Sequence, residues 1–515
     1  MSSVKYSIAK IAGKLALHGV KLGKGMGKSF PGYLFLKIVT YDGLKELAKN
    51  PSHGSIIITG TNGKTTTTKI LIKLMENEYR LAANYESNTI NAIATGLLND
   101  NVDFGIFEYG IRDVSHGIPD RIQELVNPIG VVYTNISREH TQVGGVKNKF
   151  EEYLHAKSLL SKKMTKGIII INGNNPYTTY IAKNKEEEAE KNGYDLKVNY
   201  FASSVNLETK DKKCPVCSKT LKYYMEDKDT LNNDLNDNDE DDKLKKDDLS
   251  DDKVVYSCDC GFFKPKPQVE LTEIEINNDR WRFKISGEPY NYFLKDRFTF
   301  EFICDFPPIG LHNINNGLTA ITAYASFTSK PEKFEVNVKN IFGKLSRDVL
   351  PPGRFEIFEV KKSFASTLKD SKQRGELTKH VGLGQGDNGE ALNVNVKFMK
   401  SIMKNDGVHF IYTSPDDHEE EIFDDHLKAI EGINPIKVSV LPGRNSVEMG
   451  ERCYDIIKEG YNTEFYPVVD PGEKVNKIYE IIISSDMDYV IASGCGEEQK
   501  MWEAIKDQLR KSLSN

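Results

Sequence analysis

At 515 residues the chain is too long for one hydrophobic core, so two or three domains are expected. Hydrophobic residues make up 39% of it, a globular proportion, and no apolar run approaches the roughly 20 residues of a membrane-spanning helix, so no membrane insertion is predicted. The net charge of −6 is local: Glu226 to Lys253 hold 13 acidic residues against 5 lysines, a net of −8, so the remainder carries +2 and offers no general nucleic-acid surface.

Residues 1–50 form a leader of helical character containing Phe30-Pro-Gly32. Its start, Met1-Ser-Ser-Val-Lys-Tyr-Ser, lacks the apolar segment and small-residue cleavage site of a secretory signal, and a cytoplasmic location is expected. A buried parallel strand is read at Ile56 to Ile58. The loop Gly60-Thr61-Asn62-Gly63-Lys64-Thr65-Thr66 follows, and then a helical run through Met75. Strand, glycine loop, Lys-Thr and helix make a phosphate cradle. The glycines let backbone N–H groups turn onto an anion, and the helix N-terminus adds partial positive charge. Lys64 would reach the β/γ-phosphates of ATP, and Thr65 would hold Mg²⁺.

Strand-like runs then alternate with helical ones: Phe104–Phe107, Gly130–Tyr133 and Gly167–Ile171. That order predicts an α/β domain with a parallel sheet and ligands at the strands' carboxyl ends. Glu108 ends one run and is placed to bind Mg²⁺ directly or through water. Thr134-Asn135-Ile136 ends the next, with His140 close behind. His155-Ala-Lys157 and Asn172-Gly-Asn-Asn-Pro176 come after.

Four of the seven cysteines are paired: Cys214 with Cys217, and Cys258 with Cys260. In a cytosolic chain such pairs argue for metal rather than disulfides. Two knuckles supply a Cys₄ set for structural Zn²⁺, and four thiolates leave no position open for a catalytic water. The acidic stretch 226–253 between them has too few apolar residues to order itself and is read as a disordered tip on a zinc insert spanning about 205–268.

In this order the motifs resemble the Mur ligase family: Gly60–Thr65, the strand-end Glu108, Thr134-Asn135-Ile136 with His140, the Ala-Lys pair at Lys157, Asn172–Pro176, Gly310-Leu-His312-Asn313-Ile-Asn-Asn316, and Pro352-Gly353-Arg354. The resemblance implies a central ATP-binding domain over 51–350 and a Rossmann-like ligase domain over 354–515. It implies Mg²⁺ at Glu108 and His140, an often carbamoylated lysine at Lys157, adenine contacts from His312, Asn313 and Asn316, and a phosphate contact from the hinge Arg354. The family's aspartates are replaced in Arg138-Glu139-His140 and in Asn174-Asn175. The cysteine insert is similar to that of MurT chains and of related archaeal pseudomurein peptide ligases. Past the hinge, Gly386-Asp387-Asn-Gly-Glu and Gly494-Cys-Gly496-Glu-Glu look more like an amino-acid-adding ligase. There Asp387 is a candidate to orient ATP or substrate, and a turn aspartate before a helix is the plainer alternative.

The expected activity is therefore an ATP-dependent ligase that joins an amino acid to a nucleotide-linked cell-wall peptide of the pseudomurein type. Its catalytic residues would be Lys64, Glu108, His140, Lys157 and Arg354. One alternative keeps the chemistry but takes ammonia from a glutaminase partner, as in MurT. Another is a zinc-stabilised, nucleotide-binding scaffold without ligase activity.

Overall fold

The computed structural model describes residues 3–22, 29–84, 87–115, 117–137, 149–204, 213–226, 253–276, 281–307, 312–345, 355–361, 378–404, 407–416, 420–443, 446–496 and 499–514. His140, Arg354 and most of the acidic tip lie outside these, as does the side chain of His312. Two compact units are present, one comprising Met1–Ser137 and Glu151–Val349, the other taking in Leu350–Asn515.

The first unit is built on a nine-stranded sheet. Its middle is parallel: Leu81–Ala83, Phe104–Glu108, Gly54–Thr59, Gly130–Tyr133, Lys166–Asn172 and Asp195–Ser203 lie side by side in that order. Strands covered on both faces read as unbroken apolar runs, and Ile56–Ile58 and Ile168–Ile171 are fully buried. The expected strands all form, within a residue or two of the ranges read from sequence. The far edge was not anticipated. Val269–Ile276 joins parallel to Asp195–Ser203, and Trp281–Gly287 and Phe300–Phe306 then add antiparallel. Phe300–Phe306 alternates buried and exposed residues, as a strand with one wet face should.

The leader belongs to this unit. Helices Ser3–Leu22 and Phe30–Leu47 pack on each other, and the second lies against the helix Ile90–Leu97. Gly32 lets that approach happen, since its N–H donates to Thr95 Oγ1 at 2.9 Å.

The second unit carries a six-stranded sheet ordered Glu356–Lys361, Thr378–Gln385, Tyr489–Gly494, Val408–Thr413, Lys437–Leu441, Asn462–Phe465, parallel except for the first pair. Phe410 and Tyr412 face one core with Leu392, Phe423 and Val440. Ile411 faces the other with Leu383, Ile478 and Trp502. This period of two across a sheet with helices on both sides is the Rossmann-like arrangement expected.

Candidate active site

The glycine loop joins strand Gly54–Thr59 to helix Lys64–Met75. Gly63 caps that helix with φ at 81°, a left-handed conformation that favours glycine. A Cβ there would stand 2.0 Å from Asn316 Oδ1, so backbone and Asn316 approach as closely as they can. The first-turn amides beyond Gly63 have no acceptor within the helix, which makes this turn a fit for phosphate oxygens.

The loop is held from the next strand. Thr61 N–H donates to Asn135 O at 2.9 Å, Asn62 N–H to Asn135 Oδ1 at 2.8 Å, and Thr134 Oγ1 to Asn62 O at 2.6 Å. Ser137 N–H reaches Thr61 Oγ1 at 3.0 Å. Thr134, Asn135 and Ser137 thus shape the cradle, through one backbone bond and three bonds between a side chain and the backbone.

The two residues expected to hold Mg²⁺ are adjacent: Thr65 Oγ1 donates to Glu108 Oε2 at 2.7 Å. Glu108 is buried, and its backbone is pinned by Asn84, which accepts from Glu108 N–H and donates to Glu108 O. A hydroxyl and a carboxylate at the lip of a phosphate loop are hard oxygen donors suited to Mg²⁺. Lys64 Nζ folds onto the loop, donating to Thr61 O at 2.7 Å and Gly60 O at 3.0 Å. Lys157 comes in from the helix Lys149–Lys162, only 1% exposed, and donates to Gly60 O at 2.9 Å. Its ammonium lies 4.9 Å from the ring centre of Tyr153, whose hydroxyl shares a hydrogen bond with Thr61 Oγ1 at 3.0 Å. Two lysines therefore meet one carbonyl, and the loop is a positive site enclosed by protein. Asn313 and Asn316, both buried, pair at 2.9 Å on the helix that begins at His312.

The cysteine pairs come together as well. The four sulfurs lie within 4.8 Å of one another, with Cys214 to Cys260 at 3.6 Å and Cys217 to Cys258 at 3.4 Å. A zinc tetrathiolate with Zn–S near 2.3 Å needs about 3.8 Å between sulfurs, so the cluster fits that ion with little movement. Each knuckle is a tight turn: Ser218 N–H returns to Cys214 O, and Gly261 N–H to Cys258 O. The hairpin Lys222–Glu226 with Lys253–Ser257 rises beside them. Tyr256 anchors the ribbon to the sheet domain through Thr179 Oγ1 at 2.8 Å and Gly173 O at 3.2 Å.

Residues 58–226 match the family model of the Mur ligase middle domain. The chain is 26% identical over 363 residues to subunit MurT of the glutamine-hydrolyzing lipid II isoglutaminyl synthase of Streptococcus pneumoniae, spanning 70% of this chain and 69% of that one. The chain carries a Mur ligase middle domain. Its fold is similar to that of a pseudomurein peptide ligase type C from Methanothermus fervidus, with TM-score 0.59 and 18% identity over 93% of this chain and 84% of that one. It is also similar to the MurF ligase of Thermotoga maritima in complex with ADP, with TM-score 0.54 and 12% identity over 92% and 83%.

Within this domain the Asn172–Pro176 stretch has a structural task. Asn172 donates to Thr134 O, and Asn175 donates to Ile136 O while its own Oδ1 caps the next helix at Thr178 N–H. Both amides brace the segment that shapes the phosphate loop. Donation is the reason asparagine serves there, since a carboxylate could only accept.

Asp387 sits in the second unit at the carboxyl end of Thr378–Gln385. It accepts from the Gln385 side chain and from Gly496 N–H, and the next residue, Asn388, caps helix Gly389–Ile402. Sequence reasoning singled out neither Asn84 nor Tyr153. Asn84 follows a three-residue strand too short to register as a run. Tyr153 reads as a helix-core aromatic until the fold sets it against Thr61.

Proposed function

We propose that this chain activates a carboxylate of a nucleotide-linked cell-wall peptide of the pseudomurein type with ATP and joins it to an amino acid. A carboxylate oxygen attacks the γ-phosphorus, ADP leaves, and an acyl phosphate forms. The amine nitrogen then attacks the acyl carbon, phosphate departs, and the amine gives up a proton. Lys64 and the first-turn amides bind the phosphates, and Lys157 keeps the loop carbonyl of Gly60 turned inward. Thr65 and Glu108 would hold Mg²⁺, which would supply positive charge to offset that of the phosphates. In this proposal His140 adds a metal ligand, Arg354 a phosphate contact, His312, Asn313 and Asn316 the adenine site, and Asp387 orients nucleotide or substrate. The four cysteines hold a structural Zn²⁺. The observation that carries the reading is the Thr65–Glu108 pair at 2.7 Å on the rim of a loop that two lysines address.

A second reading is favoured by the relative from Streptococcus pneumoniae, whose name makes it one subunit of a glutamine-hydrolyzing synthase. Under it, ammonia from a glutaminase partner replaces the amino acid. Phosphate release from Mg-ATP, measured with a panel of UDP-linked peptides and either single amino acids or ammonia, separates the two. Release that requires one amino acid establishes the peptide ligase and names its acceptor. Release with ammonia alone moves the protein to the amidating group. No release with any pair leaves a nucleotide-binding scaffold.

A further inference from the structure

We propose that the first helix, Ser3–Leu22, lays its outer face on an anionic lipid surface. The helix has two apolar stripes rather than one. Ala9 and Gly13 face inward, and Gly13 stands against Leu98. On the opposite side Val4, Ile8, Ile11 and Leu15 recur at helical spacing and are 69%, 57%, 59% and 69% exposed. One isolated exposed aliphatic is ordinary, but four in register along three turns form a stripe that folding leaves uncovered.

Charge identifies what covers it. The chain as a whole is acidic, at −6, yet its first 41 residues contain seven lysines and no aspartate or glutamate. Turning 100° per residue, Lys10 and Lys14 flank the stripe on one side and Lys5 on the other. Lys10 and Lys14 both reach Asp100, so one carboxylate answers two ammonium groups and positive charge remains in excess. A helix with an apolar face bordered by lysines, and without the hydropathy to cross a bilayer, is the type that lies in the plane of the interface. The lysine stems bury along the apolar surface and their heads meet lipid phosphates. The second helix opens with Phe30 and Tyr33, each about half exposed, and aromatic rings of this kind favour the same zone.

The test is flotation of the full chain with vesicles of phosphatidylcholine alone and of phosphatidylcholine mixed with phosphatidylglycerol. The protein should float with the mixed vesicles at low salt, stay behind with the neutral ones, and be released as salt is raised. The double variant Ile8→Asp, Leu15→Asp replaces two residues that contribute nothing to the core, so it should keep wild-type thermal unfolding and ATP turnover. Its vesicle binding should fall at least tenfold. Wild-type protein that stays behind with both vesicles overturns the proposal, as does a double variant that floats like wild type. Failure to float combined with a self-association that the double variant loses, read by sedimentation velocity, would assign the stripe to a second copy of the chain instead.

Discussion

The two sheets are built alike and end differently. Both are largely parallel sheets covered by helices. The residues of interest stand at the strands' carboxyl ends in the first, whereas in the second His409 lies at the amino end of its strand and His426 on a helix. In the first unit those ends gather charge around a backbone turn: Lys64 and Lys157 on the Gly60 carbonyl, Glu108 on Thr65. In the second unit buried titratable groups are kept neutral instead. His409 is held between Ser485 and Ser439 at 3.0 and 2.9 Å, and burial, helped by Lys437, drives its pKa down to about 4. His426 is buried against the Tyr412 hydroxyl, and burial pushes it to about 3. One sheet gathers charge at a phosphate loop, and the other holds two buried histidines neutral. The same architecture therefore depends on different chemistry in each half, and each half should fail under a different insult.

The largest expected effect removes charge from the first sheet. Lys64→Ala should lower phosphate release by about 10³-fold, because in the proposed reaction its ammonium turns from the loop carbonyls to the phosphates, where negative charge develops. Thermal unfolding should stay near wild type, since Lys64 bonds only to loop carbonyls. A variant that still turns over ATP would remove Lys64 from the site. The next effect concerns the ribbon docked on this sheet. Cys217→Ser should abolish bound zinc, measured by metal analysis, and lower stability by about 3 kcal/mol. The chain has two tryptophans, Trp281 in the first unit and Trp502 in the second, so the loss can be located by fluorescence. The Trp281 transition should move and the Trp502 transition should not. If both moved, the contrast between independent halves would be wrong.

Much of the first sheet was legible because its strands are apolar on both faces, and Ile56–Ile58 or Ile168–Ile171 allow little else. The edge strands were passed over although their signal is present: Arg282 and Lys284 alternate with Phe283 and Ile285, between Asn277-Asn278-Asp279 and Gly287, as in a strand with one wet face. The candidates Lys64 and Thr65 are legible from spacing, since a phosphate loop is local in sequence, and Glu108 from its place at a strand end, where the fold sets it against Thr65. The braces were harder to find. Asn174 and Asn175 depart from the family's motif, and only the fold shows their amides donating to the carbonyls of Ser203 and Ile136. Asn84 acts on Glu108 from 24 residues away, a relation that no local pattern carries. The cysteine cluster was legible in kind, because pairs at short spacing can close on a metal wherever the chain returns.

The smallest effect is the acid sensitivity of the second sheet. His409 is held neutral in the fold at any pH above about 4, while an unfolded histidine protonates near pH 6.5. As pH falls through that interval the unfolded chain binds the proton first, so stability rises with pH there. The contribution from His409 is complete above pH 6.5 and drains away as pH falls toward 4. Between pH 6.5 and 5 the loss is about 2 kcal/mol. His409→Gln keeps a donor and an acceptor between the two serines but cannot titrate, so it should remove about half of the histidine-linked slope, with His426 supplying the rest. Urea unfolding across the interval, read from Trp502 in a chain carrying Trp281→Phe, measures it. An unchanged slope in the glutamine variant would leave His426 as the residue responsible, and the same substitution there would then be expected to flatten it.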